Sequence, residues 1–147
     1  MSREAMIVLD CRRYSRNIAD IIEIFRKTGW KVRNKNNLTE FLPLGDNDQY
    51  NWQTSIMSDS DLTELILQKQ NNSEKVGVNL FYEHSDIGIS LLAETTTEII
   101  LSLDINRQTV SDSNNITDIG WYFNNIILKL HNAGCCIDCF QFSEYTD

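Results

Sequence analysis

The chain has 147 residues, 41% of them hydrophobic and 23% charged, and a formal net charge of −8. At this length about two-thirds of the unfolded surface is buried on folding, so neither a disulfide nor a structural metal is needed for stability. No apolar run approaches a membrane span, and the acidic balance works against binding to a polyanion.

In chain order, residues 6–11 (Met-Ile-Val-Leu-Asp-Cys) read as a short buried strand. The six residues before and into it lack the apolar core and cleavage site of a signal peptide, so a cytoplasmic protein is expected. Asn17 stands where a first helix needs an N-cap, and Ile18, Ile21, Ile22 and Phe25 follow at helical spacing. Gly29 ends this helix, because glycine accepts the left-handed backbone of a helix C-terminus. Trp30 is then expected to pack back on Phe25. Residues 30–33 begin a second strand, 34–37 form a turn, and 38–44 form a third strand that Pro43 marks as an edge. A turn at 45–48 leads to a fourth strand, 50–57, with Tyr50, Trp52, Thr54 and Ile56 on one side. Ser58, Asp59, Ser60 and Asp61 supply capping oxygens for a second helix. Leu62, Leu65 and Ile66 turn inward on it, and residues 68–72 fray outward.

Residues 76–82, 87–93 and 98–105 form a meander with two four-residue connections. Alternation sets Val76, Val78, Leu80, Tyr82, Ile87, Ile89, Leu91, Ile99, Leu101 and Leu103 inward. The other face, with Gly77, Asn79, Phe81, Gly88, Ser90, Leu92, Ile100, Ser102 and Asp104, is expected to be half exposed. After a polar connection, Thr117 is placed as the cap of a third helix. Its stripe of Ile119, Tyr122, Phe123, Ile126, Ile127 and Leu130 is the most amphipathic in the chain. Gly134 closes it, residues 135–142 give a last strand, and 143–147 a polar tail. The order β-α-βββ-α-βββ-α-β describes one α+β domain over residues 1–147, mostly antiparallel, with about eight strands and three helices.

Little in the chain points to catalysis. The six glycines are isolated, which excludes a phosphate-cradling loop. Cys136 and Cys139 have CxxC spacing beside Cys135. In a strand, however, residues three apart face opposite ways, and the run follows a helix C-terminus, where no dipole activates a thiol. These cysteines and Cys11 are read as reduced thiols acting as small apolar groups. Neither metal nor cofactor is expected. His84, in a loop, and Cys11 are the nearest approach to a catalytic pair, with no nucleophile signature around them. His131 suits the negative end of the third helix.

The charge distribution points instead to a partner. Residues 1–40 carry nine Lys/Arg against five Asp/Glu, whereas residues 41–147 carry four against sixteen. The later part therefore offers a negative field to a basic protein. Tyr50 and Trp52 beside Asp46 and Asp48 combine aromatic anchors with charge, as a protein interface does. Asp59, Asp61, Glu83, Asp86 and, on the sheet face, Asp104 complete the candidate partner-binding set. Turn and cap chemistry is the simpler account of the loop acids, and burial in the core is an equal account of Trp52. The alternative is a single-stranded nucleic-acid-binding module built on Arg12, Arg13, Tyr14, Arg16 and the outer sheet face, with Arg26, Lys27, Trp30, Lys31, Arg33 and Lys35 beyond.

The C-terminal third couples the strand Glu98-Ile-Ile-Leu-Ser-Leu-Asp-Ile-Asn106 to a polar loop, to Thr117-Asp-Ile-Gly-Trp-Tyr-Phe123 and to a final strand. With one acidic α+β domain and no catalytic motif, the chain resembles the small immunity proteins that bacteria pair with secreted polymorphic toxins, including those of contact-dependent growth inhibition. That resemblance implies a non-enzymatic antitoxin. It would bind a cognate toxin one to one, often a nuclease with a basic cleft, and block substrate entry.

Overall fold

The computed structural model describes residues 3–112 and 114–146. Eight strands form one antiparallel sheet, β1 (Arg3–Asp10), β2 (Trp30–Lys31), β3 (Thr39–Phe41), β4 (Gln53–Ser55), β5 (Val76–Tyr82), β6 (Gly88–Thr95), β7 (Glu98–Ile105) and β8 (Cys139–Thr146). Their order is β4-β3-β5-β6-β7-β1-β8, with β2 sharing the β3 side of β5. Three helices complete the α+β fold. They are α1 (Ile18–Lys27), α2 (Asp59–Asn71) and α3, which runs through Ile119–Tyr122, a π-helical turn at Phe123–Ile127, and Leu128–Asn132. No helix among the described residues is long and apolar enough to cross a membrane.

Alternation explains the layering. Ala5, Ile7 and Leu9 of β1 share one buried face with Val76, Val78, Leu80, Ile89, Leu91, Ile99, Leu101 and Leu103. Against it pack Ile18, Ile21, Ile22 and Phe25 of α1, Leu62 and Ile66 of α2, and Tyr122, Ile126 and Leu130 of α3. All three helices thus lie on one side of the sheet, and the other side has no helical cover.

Several boundaries differ from expectation, each for a tertiary reason. β1 starts three residues earlier because β8 pairs with it in unbroken register from Arg3↔Thr146 to Asp10↔Cys139. β8 is correspondingly displaced toward the C-terminus. Residues 135–138 are a connection, anchored where Asp138 N–H donates to the Asp10 carbonyl at 2.7 Å. Most of the expected polar tail is therefore strand; Asp147, like Met1 and Ser2 at the other terminus, lies outside the described residues. β3 is not an edge, since β4 flanks it, and Pro43 lies beyond its end. β4 is much shorter than predicted because Tyr50 has φ +55°, outside the strand region. The β6–β7 turn is two residues, Thr96-Thr97, rather than four.

The helix ends also depart from their sequence signatures. Asn17 makes no side-chain cap. Instead, Gln70 of α2 accepts from Ile18 N–H at 2.9 Å and donates to the Arg16 carbonyl at 2.7 Å. Residues 68–72 therefore do not fray; Lys69 is fully buried. Asp118, not Thr117, caps α3, accepting from Trp121 N–H at 3.1 Å. Ile119 is exposed and Thr117 is buried, held by its N–H to Glu144 at 3.0 Å. Ser58 does cap α2, accepting from Asp61 N–H at 3.1 Å, and Gly29 ends α1 with φ +102°.

Candidate protein-binding surface

The uncovered sheet face carries an apolar row. Val8 pairs with Ile100, Ile100 with Leu92, and Leu92 with Gly77. Next to it, Met6 pairs with Ser102 and Ser102 with Ser90. Val8, Met6, Leu92 and Ile100 are all half-buried. Gly77 makes this face possible at its far side. A Cβ there would meet Leu42 Cγ and Cδ1 at 2.6 Å, so glycine lets Leu42 fold over the strand. Exposed acids rim the row. Glu4 and Asp104 stand toward one end, and Glu94 and Glu98 at the β6–β7 turn mark the other. None of these four has an ion-pair partner among the described residues.

That shortage follows from the chain's use of its cations. Among the described residues, nine of the thirteen Lys and Arg are bound in ion pairs with eight acids. Arg12 folds onto Asp10 at 2.6 Å, and Arg13 pairs with Asp138. Arg26 and Arg33 converge on Asp59 at 2.7 and 2.6 Å. The N-terminal basic segment is thereby largely neutralised, and the excess negative charge is left on the later strands and turns.

A rigid loop lies at the Glu94–Glu98 end. Asp46 is 9% exposed, and its carboxylate accepts from the N–H groups of Gln49 (3.1 Å), Tyr50 (3.0 Å) and Asn51 (2.9 Å). The Asn51 N–H first, then those of Tyr50 and Gln49, hold this carboxyl below the ordinary carboxylate range against the opposing effect of burial. Asp48 and Tyr50 both adopt left-handed backbone, φ +58° and +55°. A non-glycine residue takes that conformation only when its surroundings enforce it. The loop is enforced from below. The buried Lys69 ammonium donates to the Pro43 carbonyl at 2.6 Å and lies 3.4 Å from Glu74, whose carboxylate accepts from Gly45 N–H at 2.7 Å. Tyr50 is held outward, 44% exposed, with Lys75 donating to its hydroxyl at 2.9 Å and lying over its ring. Asp48 sits 3.9 Å from the same ammonium.

Because Asp46 has a depressed carboxyl in the folded state, its contribution to stability is present above the unfolded value of about 3.9 and is lost as pH falls through the folded value. Amide protection at Gln49, Tyr50 and Asn51, taken relative to intrinsic exchange at each pH, should therefore fall on acidification below about pH 4. Asp46→Asn should raise their exchange at neutral pH and flatten this acid response; an unchanged profile in the variant would remove Asp46 as the cause.

The structure brings together only part of the candidate set. Asp46, Asp48 and Tyr50 share the loop, with Trp52 half-buried beside it. Asp46 is spent on the N–H groups of its own loop. Asp59 is consumed by Arg33 and Arg26, which depress its carboxyl in that order. Asp61 is exposed two residues on, in the same first turn of α2. Glu83 and Asp86 share the β5–β6 turn, where Glu83 lies 3.8 Å from Lys129. Asp86 is joined to the Asp104 end of the sheet when Asn106 donates to its carbonyl at 2.8 Å. Leu92 and Ile100 belong to the outer face that alternation assigns in the meander; Met6, Val8, Glu94 and Glu98 are not singled out by sequence, although Met6 and Val8 already alternate with Ile7 and Leu9 within the strand expected at 6–11.

The remaining candidates stay apart. Cys11 N–H donates to Thr96 in the turn after β6, whereas His84 lies in the turn before it. An eight-residue strand, about 25 Å, separates them. Cys11 and Cys135 are buried and in thiol contact, which with burial pushes the Cys11 thiol up; Cys136 and Cys139 are exposed. No group of three or more His, Cys, Asp or Glu converges as a metal site among the described residues. Compared with protein-family models, curated proteins and solved structures, the chain matches none.

Proposed function

We propose that the protein is a non-enzymatic inhibitor that binds a basic protein domain one to one, as an immunity protein binds its toxin. One observation carries this reading. The helix-free sheet face presents a half-buried apolar row rimmed by acids that form no ion pair among the described residues. Apolar contact there would supply affinity, and the unpaired carboxylates would steer and select a cationic partner. A toxin that acts on nucleic acid gathers Lys and Arg in its substrate cleft, and such a cleft complements this face. The Tyr50 loop at one end adds a pre-ordered aromatic anchor, so little conformational entropy is lost on docking.

The test is co-expression with the product of the gene immediately upstream, followed by titration of the purified pair. A one-to-one complex that weakens with salt and restores growth is expected. Reversing Glu98 and Asp104 to lysine should slow association about tenfold or more without altering the fold. Absence of a complex, or affinity indifferent to both reversals, counts against the proposal. The nucleic-acid reading has less support, because Arg12, Arg13, Arg26 and Arg33 are already paired. A salt-sensitive shift of single-stranded RNA by the free protein would revive it.

A further inference from the structure

The two edges of the sheet are built differently. β4 is three residues long and follows a looped segment, so it offers little backbone to another strand. β8 is eight residues long and pairs with β1 along its whole length with no bulge. Among the described residues no strand pairs its other side. Sheet proteins guard such an edge with lysine, proline, a bulge or a covering element. β8 has no Lys, Arg or Pro. Its one carboxylate, Glu144, is turned to the helix side, where it accepts from Thr117 N–H at 3.0 Å and lies 3.4 Å from Arg107 and 3.8 Å from Arg3. The edge is therefore long, regular and electrically quiet on a chain of net charge −8.

Exposed apolar side chains gather beside it. Phe140 is 46% exposed and touches Phe123 of α3 at a ring separation of 5.8 Å. Ile116 and Ile119, also exposed, flank Thr117, the residue tied to Glu144.

We propose that two copies of this chain associate through β8, antiparallel and edge to edge, forming one continuous sheet. The occupant is a second copy because the strand is complementary to itself. A two-fold axis at Phe142 overlaps residues 139–145 of each copy. It sets Phe142 against Phe142 of the partner subunit on the helix side and Phe140 beside Glu144 of the partner subunit. On the outer face, Gln141 meets Ser143 of the partner subunit. No like charges face each other in this register, and an aromatic pair stands at its centre. Contact of this kind is isologous and closes at two copies. The interface uses an edge, not the acid-rimmed face, and so is independent of the proposed function.

The register can be tested at two exposed positions. In the dimer, Gln141→Lys with Ser143→Lys places lysines directly opposite lysines, twice. Gln141→Lys with Ser143→Glu places opposite charges there instead. Sedimentation of the unmodified protein up to about 100 μM should reach twice the chain mass. The double-lysine variant should dissociate about tenfold more readily, and the lysine–glutamate variant should remain dimeric. A single-chain mass throughout for the unmodified protein overturns the proposal. So does an equal response of the two variants, since both alter the same solvent-facing positions and only the register distinguishes them.

Discussion

Replacing Lys69 with methionine should destabilise the protein by about 3–5 kcal/mol, although the residue lies on a helix whose sequence reads as a fraying, polar end. Its side chain is fully buried and spans from α2 to the Pro43 carbonyl and the Glu74 carboxylate. Methionine keeps the apolar stem and removes the ammonium. The Pro43 carbonyl then loses its donor, and Glu74 loses its nearest cation. Urea unfolding would register the loss as a lower midpoint at unchanged slope. A local signature should accompany it, because Gly45 and the turn held by Asp46 are braced by the same network. Faster amide exchange at Gly45 and residues 49–51 is expected, with little change in β1 or β7. A variant as stable as the parent would show that the ammonium is not needed to hold the loop.

Trp30→Ala should cost about 3–5 kcal/mol, the range for deleting a large buried aromatic. Trp30 is fully buried, with ring centroids 5.0 Å from Tyr82 and 6.3 Å from Trp121. Its indole N–H donates to the Asn125 carbonyl at 3.0 Å, within the π-helical turn of α3. Tyr82 donates its hydroxyl to the Asn125 side chain at 2.8 Å, and that side chain donates to the Trp121 carbonyl at 2.8 Å. The widened turn, the short β2 and the end of β5 are thus fastened at one point. Trp30→Phe keeps most of the packing but leaves that carbonyl unpaired, at about 1–3 kcal/mol. The near-ultraviolet circular dichroism of the tryptophan cluster and the urea midpoint report the two losses separately. If the phenylalanine and alanine variants were equally destabilised, the hydrogen bond and not the packing would dominate.

Both residues show where sequence reading stops. Periodicity located the meander, because Val76, Val78, Leu80, Leu91, Ile99, Leu101 and Leu103 alternate and are all buried. The same rule placed the inner stripe of α1 and the Tyr122, Ile126 and Leu130 stripe of α3. Local backbone chemistry located the ends at Gly29, Ser58 and Gly134. Trp30 shares the buried core with Phe25, but its ring partners Tyr82 and Trp121 come from β5 and α3, far along the chain. Lys69 belongs to no apolar pattern; a lysine is buried only when a carbonyl and a carboxylate arrive from elsewhere to receive it.

The acids follow the same division. From sequence, Asp46, Asp59 and Asp104 are equivalent carboxylates in a negative stretch. In the fold, the first is consumed by three backbone N–H groups, the second by two arginines, and the third is left exposed on the sheet face. Composition set the sign of the field, and alternation within each strand set which residues share a face. Those are properties of neighbours along the chain. Which face went without helices, which edge remained open and which charges kept no partner depended on long-range pairing, above all of β1 with β7 and β8. Contacts between residues about a hundred positions apart leave no mark in local spacing, so only the tertiary structure decided them.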